Sequence, residues 1–485
     1  MGFNHYTILQ MLGKVLLITG AATSIPILVA WIYGEEELYS AFYLTAIPAV
    51  ILGLLLIIGV PPSTKAIRIR DGFLVVALVW ILITFIGSIP FFLGTHMNFA
   101  DAFFEMASGF STTGASILTD IEALPYSILF WRSFTHWLGG LGIVIFAIAL
   151  MPHLNIGGYN IMRAETPGPI YDKINPKFKG QSRILFLIYM ILTLSETLLL
   201  KLGGLSWFDA LIHTFGTVAT GGFSNYNDSL GHFQSTYVTL VVTLFMVMSA
   251  LNFTLYYASM KKGLEGFLKD TEFKFYMIVI VSCTLLIALD LFRMGYFSHG
   301  IALRESAFQV ASIITTTGYA TTNYDLWPTF SKALLFGLML IGGCSGSTGG
   351  GIKAIRALIV IRFIRRGIIT RLHPNAVCTV RLGEKSISGD VITSVASFSL
   401  LYITTVLVSG LIVSADGHDL VTSFTAALAC VGNIGPGFSG VGPVMNYSIF
   451  SNPIKVFLGF LMLAGRLELF TLFMLFTPRF WNRDR

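Results

Sequence analysis

Thr315-Thr316-Thr317-Gly318-Tyr319-Ala320 is the stretch on which the reading of this chain turns. A short apolar segment opened by an acid, Glu305-Ser306-Ala307-Phe308, leads into it, and the same arrangement occurs three more times. Asp101-Ala102-Phe103-Phe104 leads to Thr112-Thr113-Gly114-Ala115, and Asp209-Ala210-Leu211-Ile212 leads to Thr220-Gly221-Gly222-Phe223. Thr422-Ser423-Phe424 leads to Asn433-Ile434-Gly435-Pro436. In every copy the glycine stands 13 residues after the first residue quoted, and successive glycines are 108, 96 and 117 residues apart. Periodicity on that scale takes precedence over any local assignment.

Composition supplies the solvent. Hydrophobic residues make up 54% of the 485 and charged residues only 12%, about half the share of a soluble domain. Mean hydropathy is +0.76. The apolar residues fall in runs long enough to cross a bilayer, which takes about 20 residues per helix. A net charge of +6 does not point to nucleic acid, because the basic residues sit in short segments between the apolar runs. Cys283, Cys344, Cys378 and Cys430 are scattered and form no C-x-x-C pair, so neither a disulfide framework nor a zinc site is indicated. The first apolar run lacks a small-residue cleavage site and reads as a retained span.

The spacing predicts an all-α membrane protein of ten spans. Two lead the chain, near 6–33 and 39–60, within a transmembrane hairpin covering 1–71. Four units follow at 72–182, 183–273, 274–390 and 391–485, each read as span, short re-entrant helix, Thr-Gly turn, span. The second spans are placed at 127–151, 237–260, 331–364 and 453–477, with only the third interrupted. Segments such as Ala102–Phe110 are too short to cross, and irregular backbone at membrane depth is tolerated only when buried in protein or lining a watery cavity. Segments 61–71, 152–183, 261–274, 362–385 and 479–485 hold 21 of the 31 lysines and arginines, whereas the alternate segments hold four. Positive residues stay on the cytoplasmic side, so both termini are expected inside and all four turns outside. An even number of spans between turns makes the units parallel, unlike the inverted repeats of many transporters.

A glycine-bearing turn repeated four times suits a dehydrated cation. Backbone carbonyls in a ring replace the ion's water without a fixed charge, so that the ion can leave again. Glycine permits the backbone angles that aim successive carbonyls at one axis, and the threonines add hydroxyl oxygens. The C-terminal end of each short helix directs partial negative charge at the cavity beneath. Asp101, Asp209 and Glu305 would stand at helix starts, where simple capping explains them as well as attraction of ions does. The competing reading is four glycine turns in an unrelated polytopic protein. Because only the third copy keeps Thr-Thr-Gly-Tyr, selectivity is expected to be looser than for four identical loops.

Gly342-Gly343-Cys344-Ser345-Gly346-Ser347-Thr348-Gly349-Gly350-Gly351 interrupts the third unit's second span. Six glycines in ten residues cannot hold a regular helix, so a flexible loop under the turns is expected to block or open the path. Close packing of small residues between helices is the alternative. Ile352 stands where a phosphate-binding loop would carry lysine. Arg466 lies inside the last apolar run, where a charge is costly and marks function. It is expected beside the path as a barrier to cations, in preference to a structural pairing with carbonyls. Glu468 is on another helix face and is not expected to neutralise it. Lys353, just after the glycines, is expected to reach the cytoplasmic surface. Glu196, Asp290 and Arg293 are left between pathway and packing roles.

Together Thr220-Gly221-Gly222-Phe223-Ser224, Thr316-Thr317-Gly318-Tyr319 and Asn433-Ile434-Gly435-Pro436-Gly437 resemble the TrkH/TrkG branch of the bacterial potassium-uptake superfamily, which includes KtrB and fungal Trk proteins. The resemblance runs the whole length, including the glycine-rich break and the arginine in the last span. It implies potassium-selective uptake through a single-chain pore of pseudo-fourfold symmetry, made of helix–re-entrant P-loop–helix repeats. It also implies a homodimer in the inner membrane with a cytosolic nucleotide-binding TrkA ring, and potassium as permeant ligand with no covalent cofactor. Carried across, the filter is Thr112 to Gly114, Thr220 to Gly222, Thr316 to Gly318 and Asn433 to Gly435. Residues 342–351 and Arg466 take the family's gating roles. Two rivals remain open: a proton- or sodium-coupled symporter, and a membrane enzyme or sensor without flux. The second lacks support, since no H-E-x-x-H or facing carboxylate pair is present and the nine histidines are dispersed.

Overall fold

The computed structural model describes residues 3–61, 68–150, 178–263, 265–376, 378–383 and 385–481. Basic residues at 62–67, 151–177 and 482–485, on which part of the orientation argument rests, lie outside these. The described residues are mostly helical, with a small hairpin pairing Arg381–Leu382 with Lys385–Ser386.

His5–Tyr33 and Tyr39–Gly59 form the leading hairpin. Their close approach depends on small residues, which drive helix association where lipid removes the hydrophobic gain. A Cβ on Gly13 would come within 3.0 Å of the Gly53 carbonyl oxygen, and one on Gly53 within 2.8 Å of the Gly13 oxygen.

The four units follow one plan. First spans run Ile69–Gly94, Phe178–Leu202, Thr271–Arg293 and Gly389–Ser414. Short helices run Phe99–Ser111, Trp207–Val218, His299–Ile314 and Leu420–Gly432. Three start on side-chain caps that occupy orphan backbone donors: Asn98 accepts from Asp101 N, Ser206 from Asp209 N, and Asp419 from Thr422 N. Every residue from Ala102 to Ser111 is buried, as befits a helix enclosed by others rather than set against lipid. The spans differ: Ile278, Leu285 and Leu289 stay exposed along one face of Thr271–Arg293, the side suited to acyl chains.

Each short helix packs between the two spans of its own unit and also against the second span of the preceding one. Tyr126–Leu150 thus meets Trp207–Val218, Thr236–Ser249 meets His299–Ile314, and Thr329–Met339 meets Leu420–Gly432. The cycle closes when Asn452–Arg466, from the last unit, packs on Phe99–Ser111 of the first. At that seam Lys455 Nζ lies 2.7 Å from Asp101, and a Cβ on Gly459 would sit 2.9 Å from the Phe103 ring.

Two spans depart from expectation. The run read as a continuous span over 237–260 is Thr236–Ser249 followed by Phe253–Ser259 at a 91° bend, and the last is Asn452–Arg466 followed by Phe470–Phe476 at 113°. The first break is held open by Asn252, whose side chain caps the second piece at Thr254 N. At the other, Glu468 and Leu469 both adopt left-handed backbone (φ 55 and 53°). Among the described residues six helices are long and apolar enough to cross a bilayer, and eight if each bent pair counts as one. Glu305 is also not at a helix start, because its helix begins six residues earlier at His299. It accepts instead from Arg304 at 2.6 Å.

Candidate functional site

All four short helices stop just before their Thr-Gly turn, and the four turns share one backbone pattern. Thr112, Thr220, Thr316 and Asn433 are left-handed (φ 56, 55, 61 and 53°), and two residues on so are Gly114, Gly222, Gly318 and Gly435 (φ 82, 77, 83 and 99°). Asparagine tolerates such angles, whereas threonine, branched at Cβ, adopts them only where its surroundings enforce them. The intervening residues, Thr113, Gly221, Thr317 and Ile434, lack positive φ.

The turns meet in a ring. A Cβ added to Gly114 would collide with the Gly221 carbonyl oxygen, one on Gly222 with that of Thr317, and one on Gly318 with that of Ile434. A Cβ on Gly435 would stand 2.8 Å from the Thr113 oxygen, which returns to the first turn. Four backbone oxygens from four distant segments therefore succeed one another around a closed circuit. The four signature glycines also line a single cavity of about 130 Å³. That arrangement offers a cation neutral oxygens on several sides at once.

Polar side chains behind the turns hold their shape. Thr113 and Thr317 share hydrogen bonds with Ser111 and Thr315 at 2.6 and 2.7 Å. Nine residues ahead of the signature glycines stand Glu105, His213 and Gln309, and each braces the segment beyond its own turn. Glu105 accepts from Ser116 Oγ and Ile117 N, both at 3.0 Å. His213 Nε2 pairs with Ser224 Oγ at 3.0 Å, and Gln309 donates to Thr321 Oγ1 at 3.5 Å. The fourth unit has Ala426 at that place, and neighbouring Thr425 accepts from Phe438 N at 3.0 Å. Arg132 ties the first two turns together: it pairs with Glu105 at 2.6 Å, donates to Ser224 O at 2.7 Å and covers the Phe223 ring at 3.6 Å. Both charges of that pair are buried. Removing one partner strands the other, so Glu105→Leu is expected to cost about 3–5 kcal/mol. Glu105→Leu with Arg132→Met should cost less, read as the thermal midpoint of the purified protein in detergent. Equal losses would mean the pair is not the brace.

The glycine-rich stretch lies beneath the turns, on the side of the helix C-termini. Gly350 N donates to Thr316 Oγ1 at 2.7 Å. A Cβ on Gly349 would be 3.0 Å from Thr315 O, and one on Gly350 would be 3.0 Å from Asn433 Cβ. Thr348 Oγ1 reaches the carbonyls of Val218 and Ser249 at 3.3 Å. Arg466 joins this layer to the first unit: its guanidinium donates to Thr348 O (2.6 Å), Gly139 O (2.8 Å) and Thr112 Oγ1 (3.2 Å). The carbonyl pairing that sequence reasoning set second is therefore present. Glu468 pairs with Arg356 at 2.6 Å. Lys353 is not at the cytoplasmic surface; it is 2% exposed and its ammonium donates to Gly349 O, because the loop turns its own carbonyl back toward it. Of the other charges in the spans, Asp290 accepts from Ser331 at 2.6 Å and Glu196 is fully enclosed. Asp101 and Asp209 are taken up by Lys455 and by Ser206, Asn225 and Tyr226. Among the described residues no group of three or more His, Cys, Asp or Glu could hold a metal ion.

The sequence model of TrkH, a cation transport protein, matches residues 40–483. The chain belongs to the TrkH family. It is 35% identical to the Trk system potassium uptake protein TrkH of Escherichia coli K12, over 98% of this chain and 99% of that one. It is 33% identical to TrkG of the same organism, over 94% of each. A crystal structure of the potassium transporter TrkH from Vibrio parahaemolyticus superposes with a TM-score of 0.89 at 34% identity, covering 99% of this chain and 100% of that one. Membership in this family, with the long apolar helices, makes the chain a membrane protein; its relatives are named as transporters and not as enzymes.

Proposed function

We propose that this chain is a Trk-type potassium uptake protein whose four turns form a selectivity filter around a pseudo-fourfold pore. The closed circuit of carbonyl oxygens from Thr113, Gly221, Thr317 and Ile434 carries the reading. A potassium ion entering the cavity exchanges water for these oxygens, which hold it without a fixed counter-charge and so release it. Buried braces fix the oxygens before the ion arrives, which lowers the ordering cost of binding. Thr112, Thr220, Thr316 and Asn433 complete the filter at its inner edge. The glycine-rich loop and Arg466 then act as the gate, because both stand under the ring on the exit side.

The protein would work in the bacterial inner membrane with both termini cytoplasmic, as a homodimer with a TrkA-type nucleotide-binding ring on the inner face. The relatives' names support a Trk assembly, and the basic segments between spans suit an anionic partner.

Flux from proteoliposomes tests this directly. Purified protein is expected to pass potassium and rubidium in preference to sodium, with reversal at the potassium equilibrium potential whether or not a pH gradient is imposed. Reversal that moves with the proton gradient would establish obligatory coupling and remove the pore.

A further inference from the structure

Glu272, in the first turn of Thr271–Arg293, has no part in the mechanism above. Its carboxylate nevertheless reaches the glycine-rich loop at Ser345 and the start of the helix that follows the loop at Ile355. Oε1 accepts from Ser345 N at 2.6 Å and from Ile355 N at 3.2 Å, and Oε2 accepts from Ser345 Oγ at 2.9 Å. Ile355 belongs to the first turn of Ala354–Leu372, whose backbone donors have no partner within the helix. Lys353 just before it offers no side-chain cap. One buried carboxylate oxygen therefore caps that helix and pins the far end of the loop as well. The neck between these points is closed by one further bond, from Ala354 N to Gly343 O at 2.9 Å.

We infer that Glu272 is the latch that keeps the glycine-rich loop beneath the filter, a positioning residue for the gate. The inference rests on the pore reading. Residues 346–354 are strung between two points on one carboxylate, and the loop's tip, at Gly349 and Gly350, abuts Thr315, Thr316 and Asn433. Drawing the tip out from under the ring rotates the neck and breaks these bonds. Three hydrogen bonds, two from Ser345 and one from Ile355, converge on this one buried carboxyl group, so the latch biases the loop toward the closed position. Ser345 contributes both a backbone and a side-chain donor, and adjacent Cys344 is fully buried. Release of the neck exposes that thiol.

The test uses full-length protein in proteoliposomes with three readouts. These are rubidium flux, the rubidium-to-sodium permeability ratio, and modification of Cys344 by N-ethylmaleimide followed by peptide mass spectrometry. Glu272→Gln keeps the size but replaces one carboxyl oxygen with an amide nitrogen. It is expected to raise basal flux on the order of tenfold, matching about one hydrogen bond's worth of lost contact, with the permeability ratio unchanged and Cys344 labelled faster. Ser345→Ala removes only the hydroxyl bond and does not threaten the fold; it should move flux and labelling the same way by a smaller factor. The double variant should add little to Glu272→Gln alone, because both act through one contact. A selective wild-type flux with flux and Cys344 labelling unchanged or lowered in both variants would overturn the latch. A wild type that passes no potassium would defeat the pore reading instead, and Cys344 labelling would then still decide the latch by itself.

Discussion

Gly318→Ser is expected to abolish potassium-supported growth of an uptake-deficient strain, and whatever flux survives should no longer distinguish potassium from sodium. Two costs combine at this position. The backbone is left-handed at φ 83°, which an L side chain adopts at about 1–2 kcal/mol. That alone is tolerable in a well-packed membrane protein. The second cost decides the outcome: the new Cβ meets the carbonyl oxygen of Ile434 and stands 2.8 Å from Pro436 Cδ. Neither neighbour is the free end of a flexible chain. A main-chain carbonyl must turn away, and in the proposed filter that oxygen is a potassium ligand. A distortion of about 3 kcal/mol at the binding step corresponds to about 100-fold in flux.

The same contacts rank the four glycines. Gly114, Gly222 and Gly318 each collide with a carbonyl oxygen, whereas the nearest atom to a Cβ on Gly435 is Thr113 O at 2.8 Å. Alanine at 435 should therefore be the mildest of four otherwise equivalent substitutions. Rubidium uptake by each single variant, normalised to membrane protein, measures the order. Equal loss at all four positions, or greatest loss at 435, would mean that something other than the carbonyl contact governs.

The four turns were legible because their key signal depends on residue type. Glycine takes positive φ at 114, 222, 318 and 435, and its constant offset of 13 residues from the first residue of each quoted segment marks all four turns. The braces were overlooked although their spacing is as regular. Glu105, His213 and Gln309 stand nine residues ahead of the signature glycine, but three different side chains brace the segment beyond the turn, by accepting or by donating, and a search by type misses them. Hydropathy recovered the extent of the second and fourth units' last spans and missed their bends, since an average over apolar residues carries no direction. Asn252 and Glu468 were the visible clues, both polar within apolar runs. Long-range contacts such as Glu272 with Ser345, or Arg356 with Glu468, join residues 73 and 112 positions apart, and nothing local in the sequence announces them. The interruption at 342–351 was visible from glycine content, but the return of the Gly349 carbonyl onto Lys353 depends on the folded path of the loop.

Arg466→Ala is expected to raise basal potassium flux by about tenfold to 100-fold while leaving the permeability ratio intact. The guanidinium is where the glycine-rich loop (Thr348), a second span (Gly139) and the edge of the proposed filter (Thr112) come together. Its loss acts in two ways, and their magnitudes are comparable. A unit charge about 4 Å from a permeating ion opposes it by about 4 kcal/mol at an effective dielectric constant near 20. The bonds that hold the loop contribute about 1.5–3 kcal/mol apiece before the cost of burying the charge is subtracted. Arg466→Lys separates the two. Lysine keeps the charge, but its single nitrogen cannot span acceptors that the two ends of the guanidinium reach. If charge sets the barrier, Arg466→Lys conducts like the wild type. If the fork-shaped clamp on Thr348 and Gly139 sets it, the lysine variant lies close to alanine. Because three partners from three segments converge on one planar group, the second outcome is expected: most of the rise should already appear in Arg466→Lys. A lysine variant that stays closed, beside an alanine variant that opens, would assign the barrier to charge and leave the loop's position to its other contacts.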